Sequence, residues 1–334
     1  MTRKRRVDPF HKDLRLARIL PQVTFGPRMA RLARWSEPRP KPAPDDMAIE
    51  EVTVPGLPGN PDVQLRVYRP LGLPPKAPAL FWLHGGGFIM GTPLWDEPNN
   101  IAFARELGIV VIAGRYRLAP DHRAPAAVED AYAGLRAAYR DSARFGIDPD
   151  NIAIGGGSAG GGLAAALALL AHDRGEVRPV FQLLVYPMLD DRTVLRSDIS
   201  SRRMRGWTPK SNAYAWGVYA EARPGGPDVS PYTAPARRTD LSGLPPAWIG
   251  IGTIDLFHDE DLGYARRLRA AGVPCEVLEI PGAFHGFDGV LRRAGVSRAF
   301  WTAQINVLRD ALTHSRADGS ARSSTTMNVN QDDG

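Results

Sequence analysis

The segment Asn151-Ile152-Ala153-Ile154-Gly155-Gly156-Gly157-Ser158-Ala159-Gly160 admits few backbone arrangements. A short apolar run ends in glycines, and an alanine-rich stretch of helical character follows from Gly160 to His172. Strand, sharp turn and helix must therefore succeed one another within a few residues. A G-x-S-x-G pattern at such a junction places the serine on a strained turn with its hydroxyl exposed, and the flanking glycines let strand and helix backbones approach. The helix start directs free N–H groups and a positive dipole end toward any negative charge that develops there. A plain turn or a phosphate loop has the same local form, so the motif needs support from elsewhere.

The rest of the chain supplies a frame. Strand-like runs at Ala79–Leu83, Ile109–Ala113, Ile152–Ile154, Phe181–Val185, Ala247–Ile251 and Glu276–Ile280 alternate with helical patterns near Asn99–Leu107, Ala126–Tyr139, Gly160–His172, Asp259–Ala271 and Val296–Leu312. This βαβα order predicts an α/β fold, a mostly parallel, doubly wound sheet with helices on both faces. Two regions break the rhythm: the N-terminal arm and a stretch of about 190–227 rich in arginine and aromatics. The reading divides the chain into an N-terminal cap arm over 1–45, a catalytic domain over 46–313 that contains the cap insertion, and a polar, disordered tail over 314–334.

Charge bears on partners. The formal net charge is +6, yet residues 1–41 hold twelve Lys/Arg against three Asp/Glu, a net of +9 that leaves −3 for the remainder. Leu14, Ala17, Leu20, Met29, Leu32 and Trp35 in this arm are expected to pack on the protein itself, which argues against nucleic acid or a stable membrane association. Cys275 is the single cysteine, and the basic start is not followed by an apolar core with a cleavage site. A cytoplasmic location is therefore expected. Oligomeric state is open, a homodimer included.

His84-Gly85-Gly86-Gly87 follows the strand Ala79–Leu83 and is an HGGG-type loop, whose backbone donors can approach an oxyanion unhindered. Gly85, Gly86, Gly87 and Ala159 are the expected donors, and His84 is expected to fix the loop. Among seven histidines, His285 in Gly282-Ala283-Phe284-His285-Gly286-Phe287 lies just past the last strand, where the general base belongs. His258 is the runner-up. Asp255 leaves the preceding strand and is the expected acid, while Asp259, Glu260 and Asp261 suit the N-terminus of the next helix. The order Ser158, Asp255, His285 differs from both major serine protease orders.

With these residues in hand, the chain resembles the hormone-sensitive lipase-like family of bacterial esterases from about Val52 to Leu312. The likeness rests on His84-Gly85-Gly86-Gly87, Tyr116-Arg117-Leu118-Ala119-Pro120, Gly156 to Gly162, Ser230-Pro231, Asp255 with Asp259-Glu260, and His285-Gly286-Phe287. It implies an α/β-hydrolase sheet of about eight strands, with a helical cap built from the N-terminal arm and an insertion after the sixth strand. It also implies hydrolysis of short to medium acyl esters through an acyl-enzyme, with no metal and no cofactor. Gly157, Arg115 and Asp121 depart from the family pattern. Trp207, Tyr214, Trp216 and Met188 are candidates for lining a substrate pocket beneath the cap. An amidase or peptidase with the same triad and a non-catalytic small-molecule receptor on the same fold are the competing readings, and the glycine-flanked His285 loop argues against the receptor.

Overall fold

A computed structural model describes residues 10–326. Its frame is one sheet of eight strands in the order β1-β2-β4-β3-β5-β6-β7-β8. The strands are β1 (Met47–Val54), β2 (Val63–Pro70), β3 (Ala77–Leu83), β4 (Val110–Gly114), β5 (Ile147–Gly157), β6 (Phe181–Val185), β7 (Ala247–Gly252) and β8 (Cys275–Ile280). Neighbours from β4 across to β8 are parallel, whereas β1 and β2 form an antiparallel pair and β2 runs antiparallel to β4. All six expected strands are present. The two that sequence reading did not place, β1 and β2, mix Glu, Thr, Gln and Arg with their apolar residues and so lack the continuous apolar run of a strand buried on both faces.

The helices are α1 (Pro27–Trp35), α2 (Glu97–Leu107), α3 (Ala126–Arg140), α4 (Ser142–Phe145), α5 (Ala159–Arg174), α6 (Pro209–Tyr219), α7 (His258–Ala270), α8 (Phe287–Val290) and α9 (Gly295–Thr326). Strand alternation feeds two cores: Ala79, Phe81 and Leu83 of β3 pack with α3, α5 and α7, while Leu80 and Trp82 pack with α2 and α9 on the opposite face. The last helix passes Leu312, where the apolar pattern stops, and continues to Thr326, so residues 314–326 are helical rather than irregular. The remainder of the expected tail, 327–334, lies outside the described residues.

The chain runs from β3 outward to β4 and then returns to place β5 on the other side of β3. Such a switch opens a crevice at the carboxyl ends of β3 and β5, and both glycine motifs exit there.

The N-terminal arm and the 186–246 connection between β6 and β7 meet over this crevice. Gln22 Nε2 donates to the Met204 carbonyl at 3.2 Å, and Phe25 N–H donates to Ser211 Oγ at 2.9 Å. The apolar residues of the arm divide in a way the sequence reading did not anticipate. Leu14 and Ala17 in the 3₁₀ turn Lys12–Arg18 are fully buried and Leu20 is half-buried, but Met29, Leu32 and Trp35 of α1 are exposed. The body-facing side of α1 carries Ala30 and Ala33 instead, whose small side chains permit close approach.

Candidate active site

Ser158 stands between β5 and α5 with φ 57° and ψ −122°, a conformation that costs a non-glycine residue roughly 1–3 kcal/mol. Surrounding bonds hold it there. Its N–H donates to the Val185 carbonyl at 2.9 Å, and its carbonyl accepts from the N–H groups of Gly162 and Met188, each at 3.0 Å. The crossing of strand and helix is tight: a Cβ on Gly160 would stand 2.0 Å from the Leu83 carbonyl oxygen, and one on Gly156 2.4 Å from Gly160. Only glycine fits either place.

His285 Nε2 lies 2.8 Å from Ser158 Oγ, and its Nδ1 lies 2.8 Å from Asp255 Oδ2. The second oxygen of Asp255 accepts the Phe257 N–H at 3.0 Å, which holds the carboxylate from its other side. Edge contacts from Tyr186 and Phe257 hold the imidazole on two sides, with ring centroids at 4.9 and 5.1 Å. All three residues are nearly buried, so their charges act in a medium of low dielectric. His258, the other candidate base, lies elsewhere and contacts Glu279 at 2.8 Å.

The glycine loop after β3 meets the same crevice. Gly85, Gly86 and Gly87 line the cavity with Ser158, and Ala159 is the first residue of α5, where N–H groups have no intrahelical acceptor. His84 does not face the serine. It stacks on Tyr116 at 4.2 Å, and its Nδ1 lies 2.8 Å from the Gly85 carbonyl, while burial pushes its pKa down to about 4. Tyr116 in turn donates to the His84 carbonyl at 2.7 Å, which pins the loop from behind.

The cavity above Ser158 has a volume of about 240 Å³. Of the four residues expected to line it, Trp207 does, stacked on Phe25 at 5.8 Å. Tyr214, Trp216 and Met188 do not. Trp216 is fully buried against Phe88 and Tyr219, forming the cap's own core on the glycine loop. Tyr214 packs on the main core, and Met188 is buried behind the elbow. Sequence reading missed Phe25, Met90, Asp96, Tyr186 and Asp288 in the cavity wall. Asp288 follows His285 by three positions, which is the signal that could have found it.

Two of these are acids. Trp82 Nε1 donates to Asp96 at 2.8 Å, yet loss of solvent pushes Asp96 up to about 6. Asp288 accepts the Tyr186 hydroxyl at 3.0 Å and is likewise raised by desolvation. Among the described residues, no group of three or more His, Cys, Asp or Glu is placed to hold a metal ion.

The acids after Asp255 sit in the first turn of α7, as expected, but Glu260 has a further task. Its carboxylate accepts the N–H groups of Leu189 and Asp190 at 2.8 and 3.1 Å and the Thr193 hydroxyl, tying down the start of the insertion. Two departures from the family pattern also find partners. Arg115 pairs with Glu37 and donates to Thr92 Oγ1 at 3.1 Å, and Asp121 pairs with Arg34 at 2.8 Å. Both tie the N-terminal arm to the body. The third, Gly157, faces the cavity with space for a side chain, since a Cβ would meet only Tyr186, at 3.8 Å.

Residues 80–289 match the sequence model of a family described by its alpha/beta hydrolase fold. Carboxylesterase NlhH of Mycobacterium tuberculosis is 36% identical over 275 residues, covering 77% of this chain and 80% of the relative. Carboxylic ester hydrolase LipN of the same species is 34% identical over 271 residues, covering 79% and 71%. Among solved structures, a bacterial heroin esterase superposes with a TM-score of 0.83 at 36% identity, over 91% of this chain and 98% of the other. Esterase LipW of Mycobacterium marinum gives 0.78 at 32% identity, over 92% and 97%. The parallel sheet, the strand-to-helix elbow at its switch point and these relatives together place the chain in the α/β-hydrolase fold family, in its hormone-sensitive lipase-like branch.

Proposed function

We propose that this ester hydrolase works through an acyl-enzyme on Ser158, with His285 as general base and Asp255 as the residue that orients it. The 2.8 Å contact of His285 Nε2 with Ser158 Oγ carries the reading. Ser158 Oγ attacks the ester carbonyl as its proton passes to Nε2, and Asp255 keeps the remaining proton on Nδ1 and stabilises the imidazolium. The carbonyl oxygen turns negative beside the N–H groups of Gly85, Gly86, Gly87 and Ala159. Loss of one such donor typically costs roughly 3–4 kcal/mol of transition-state stabilisation. The imidazolium protonates the leaving alkoxide, and the alcohol departs. Water, deprotonated by His285, then attacks the acyl carbon, and the imidazolium returns the proton to Ser158 Oγ as the acid departs.

A cavity of about 240 Å³ suits small acyl groups, since pockets for drug-sized ligands begin near 300 Å³. Ser158→Ala is expected to abolish turnover of p-nitrophenyl acetate, and wild-type protein is expected to show a burst of one nitrophenolate per active site followed by slower release. Wild-type-like turnover in the alanine variant would remove Ser158 from the reaction. Esters graded from acetyl to longer acyl chains test size, with kcat/KM expected to fall beyond medium length.

A further inference from the structure

Six of the nine exposed large hydrophobic side chains of the described chain fall within residues 16–35. They are Leu16, Ile19, Val23, Met29, Leu32 and Trp35, of which Ile19 is 82% and Trp35 91% exposed. Ordinary surfaces scatter such residues singly, and a concentration of them marks an interaction site. In α1, Met29, Leu32 and Trp35 recur at intervals of three, so they share one flank while Ala30 meets the body. This helix is amphipathic with its larger apolar residues turned to solvent.

The same segment is strongly basic. Arg28 and Arg31 run beside the apolar flank, and among the described residues neither has a carboxylate within ion-pairing distance. With a net of +9 over residues 1–41, a second copy of the arm would be repelled, whereas a surface of anionic lipid phosphates complements it. Exposed Leu and Trp flanked by arginine is the composition of a helix that lies in the headgroup plane, its apolar side chains in the acyl boundary and its guanidinium groups at the phosphates. Among the described residues no helix is long and apolar enough to cross a membrane.

We infer that the N-terminal arm docks this enzyme peripherally on anionic lipid bilayers, through the exposed apolar flank of α1 and the preceding turn with Arg28 and Arg31 as headgroup contacts. Phe25, between the turn and α1, lines the cavity, so docking surface and candidate active site share one structural element. The inference does not depend on the ester-hydrolysis reading, because binding is measured without turnover.

The test is flotation of the full chain with phosphatidylcholine vesicles, with and without phosphatidylserine, at low and high salt. Binding to the serine-containing vesicles is expected, weakened at high salt as screening shortens to about 3 Å at 1 M, with a blue shift of Trp35 emission. Leu32→Ser/Trp35→Ser and, separately, Arg28→Gln/Arg31→Gln should each reduce partitioning by about tenfold or more. Both variants should keep the wild-type far-UV circular dichroism and melting temperature, which shows that they fold. Absence of wild-type binding, or binding unchanged in both variants, overturns the inference. So does a dimer in sedimentation velocity that Trp35→Ser dissolves while vesicles remain unbound, since the patch would then belong to a second copy.

Discussion

The backbone of Gly87 lies directly beneath the indole of Trp207, so close that a Cβ on Gly87 would stand 2.2 Å from Cη2. The cap residue therefore fixes how near the cavity roof comes to the glycine loop, and Gly87, with φ +63°, has no room to acquire a side chain. Gly87→Ala is expected to displace the loop or the indole and lower kcat/KM for p-nitrophenyl acetate by about 10²-fold or more, the range seen when an oxyanion donor is lost. Trp207→Ala in the same chain removes the clash but not the backbone strain, so it should recover part of the loss. If Gly87→Ala matches wild type, the loop is free to move and its place in the mechanism fails.

Much of this arrangement was legible because local chemistry and fold agree. Strands buried on both faces appear as unbroken apolar runs, and Gly156, Ser158 and Gly160 can be read because the crossing of β5 and α5 excludes every other residue from the glycine positions. The cavity wall was harder to read. Asp96, Tyr186 and Asp288 come from three separate exits of the sheet, and no spacing in the chain announces that they meet. Trp216 and Trp207 are nine positions apart in one aromatic-rich segment, yet one fills the cap core and the other the cavity, a distinction set by the packing of Phe88 and Phe25. The arm misled for a related reason: apolar periodicity reveals an amphipathic face but not which way it turns.

Asp255 Oδ2 lies 2.8 Å from His285 Nδ1, and its Oδ1 accepts the Phe257 N–H. An asparagine there must turn its amide NH₂ toward either the imidazole or the Phe257 N–H, and neither is an acceptor when His285 keeps its proton on Nδ1. Asp255→Asn is expected to lower kcat by about 10⁴-fold while far-UV circular dichroism stays unchanged. A loss of less than tenfold would mean that another group orients the base.

Asp288 is expected to bear on the pH profile, since the charge of His285 is among those acting on it. Desolvation raises the pKa of Asp288, and the charge of His285 acts in the opposite direction, so the two groups are electrostatically coupled. Removing the Asp288 charge makes the imidazolium less favourable, and the neutral base then persists to lower pH. Asp288→Asn should therefore shift the acid limb of kcat/KM downward. A shift upward, or none, would show that Asp288 and His285 do not sense each other.

Asp261 is fully buried in the first turn of α7, and neither carboxylate oxygen has a hydrogen-bond partner among the described residues. Burial, with the carboxylates of Glu260 and Asp255 close by, raises its pKa well above the ordinary range. The folded chain then holds a proton that the unfolded chain releases near pH ~4, so stability falls as pH rises from there toward the raised folded value. The helix dipole opposes this, but a charge at a helix start gains only about 0.3–1 kcal/mol, against roughly 1–3 kcal/mol for an unpaired buried group. Asp261→Asn keeps the shape and removes the titration. It is expected to be stabilising by on the order of 1 kcal/mol at pH 8, a rise in Tm of about 2 °C, and near neutral at pH 4. Thermal melts at the two pH values measure the difference; a gain that is the same at both would place the effect in packing rather than in the proton.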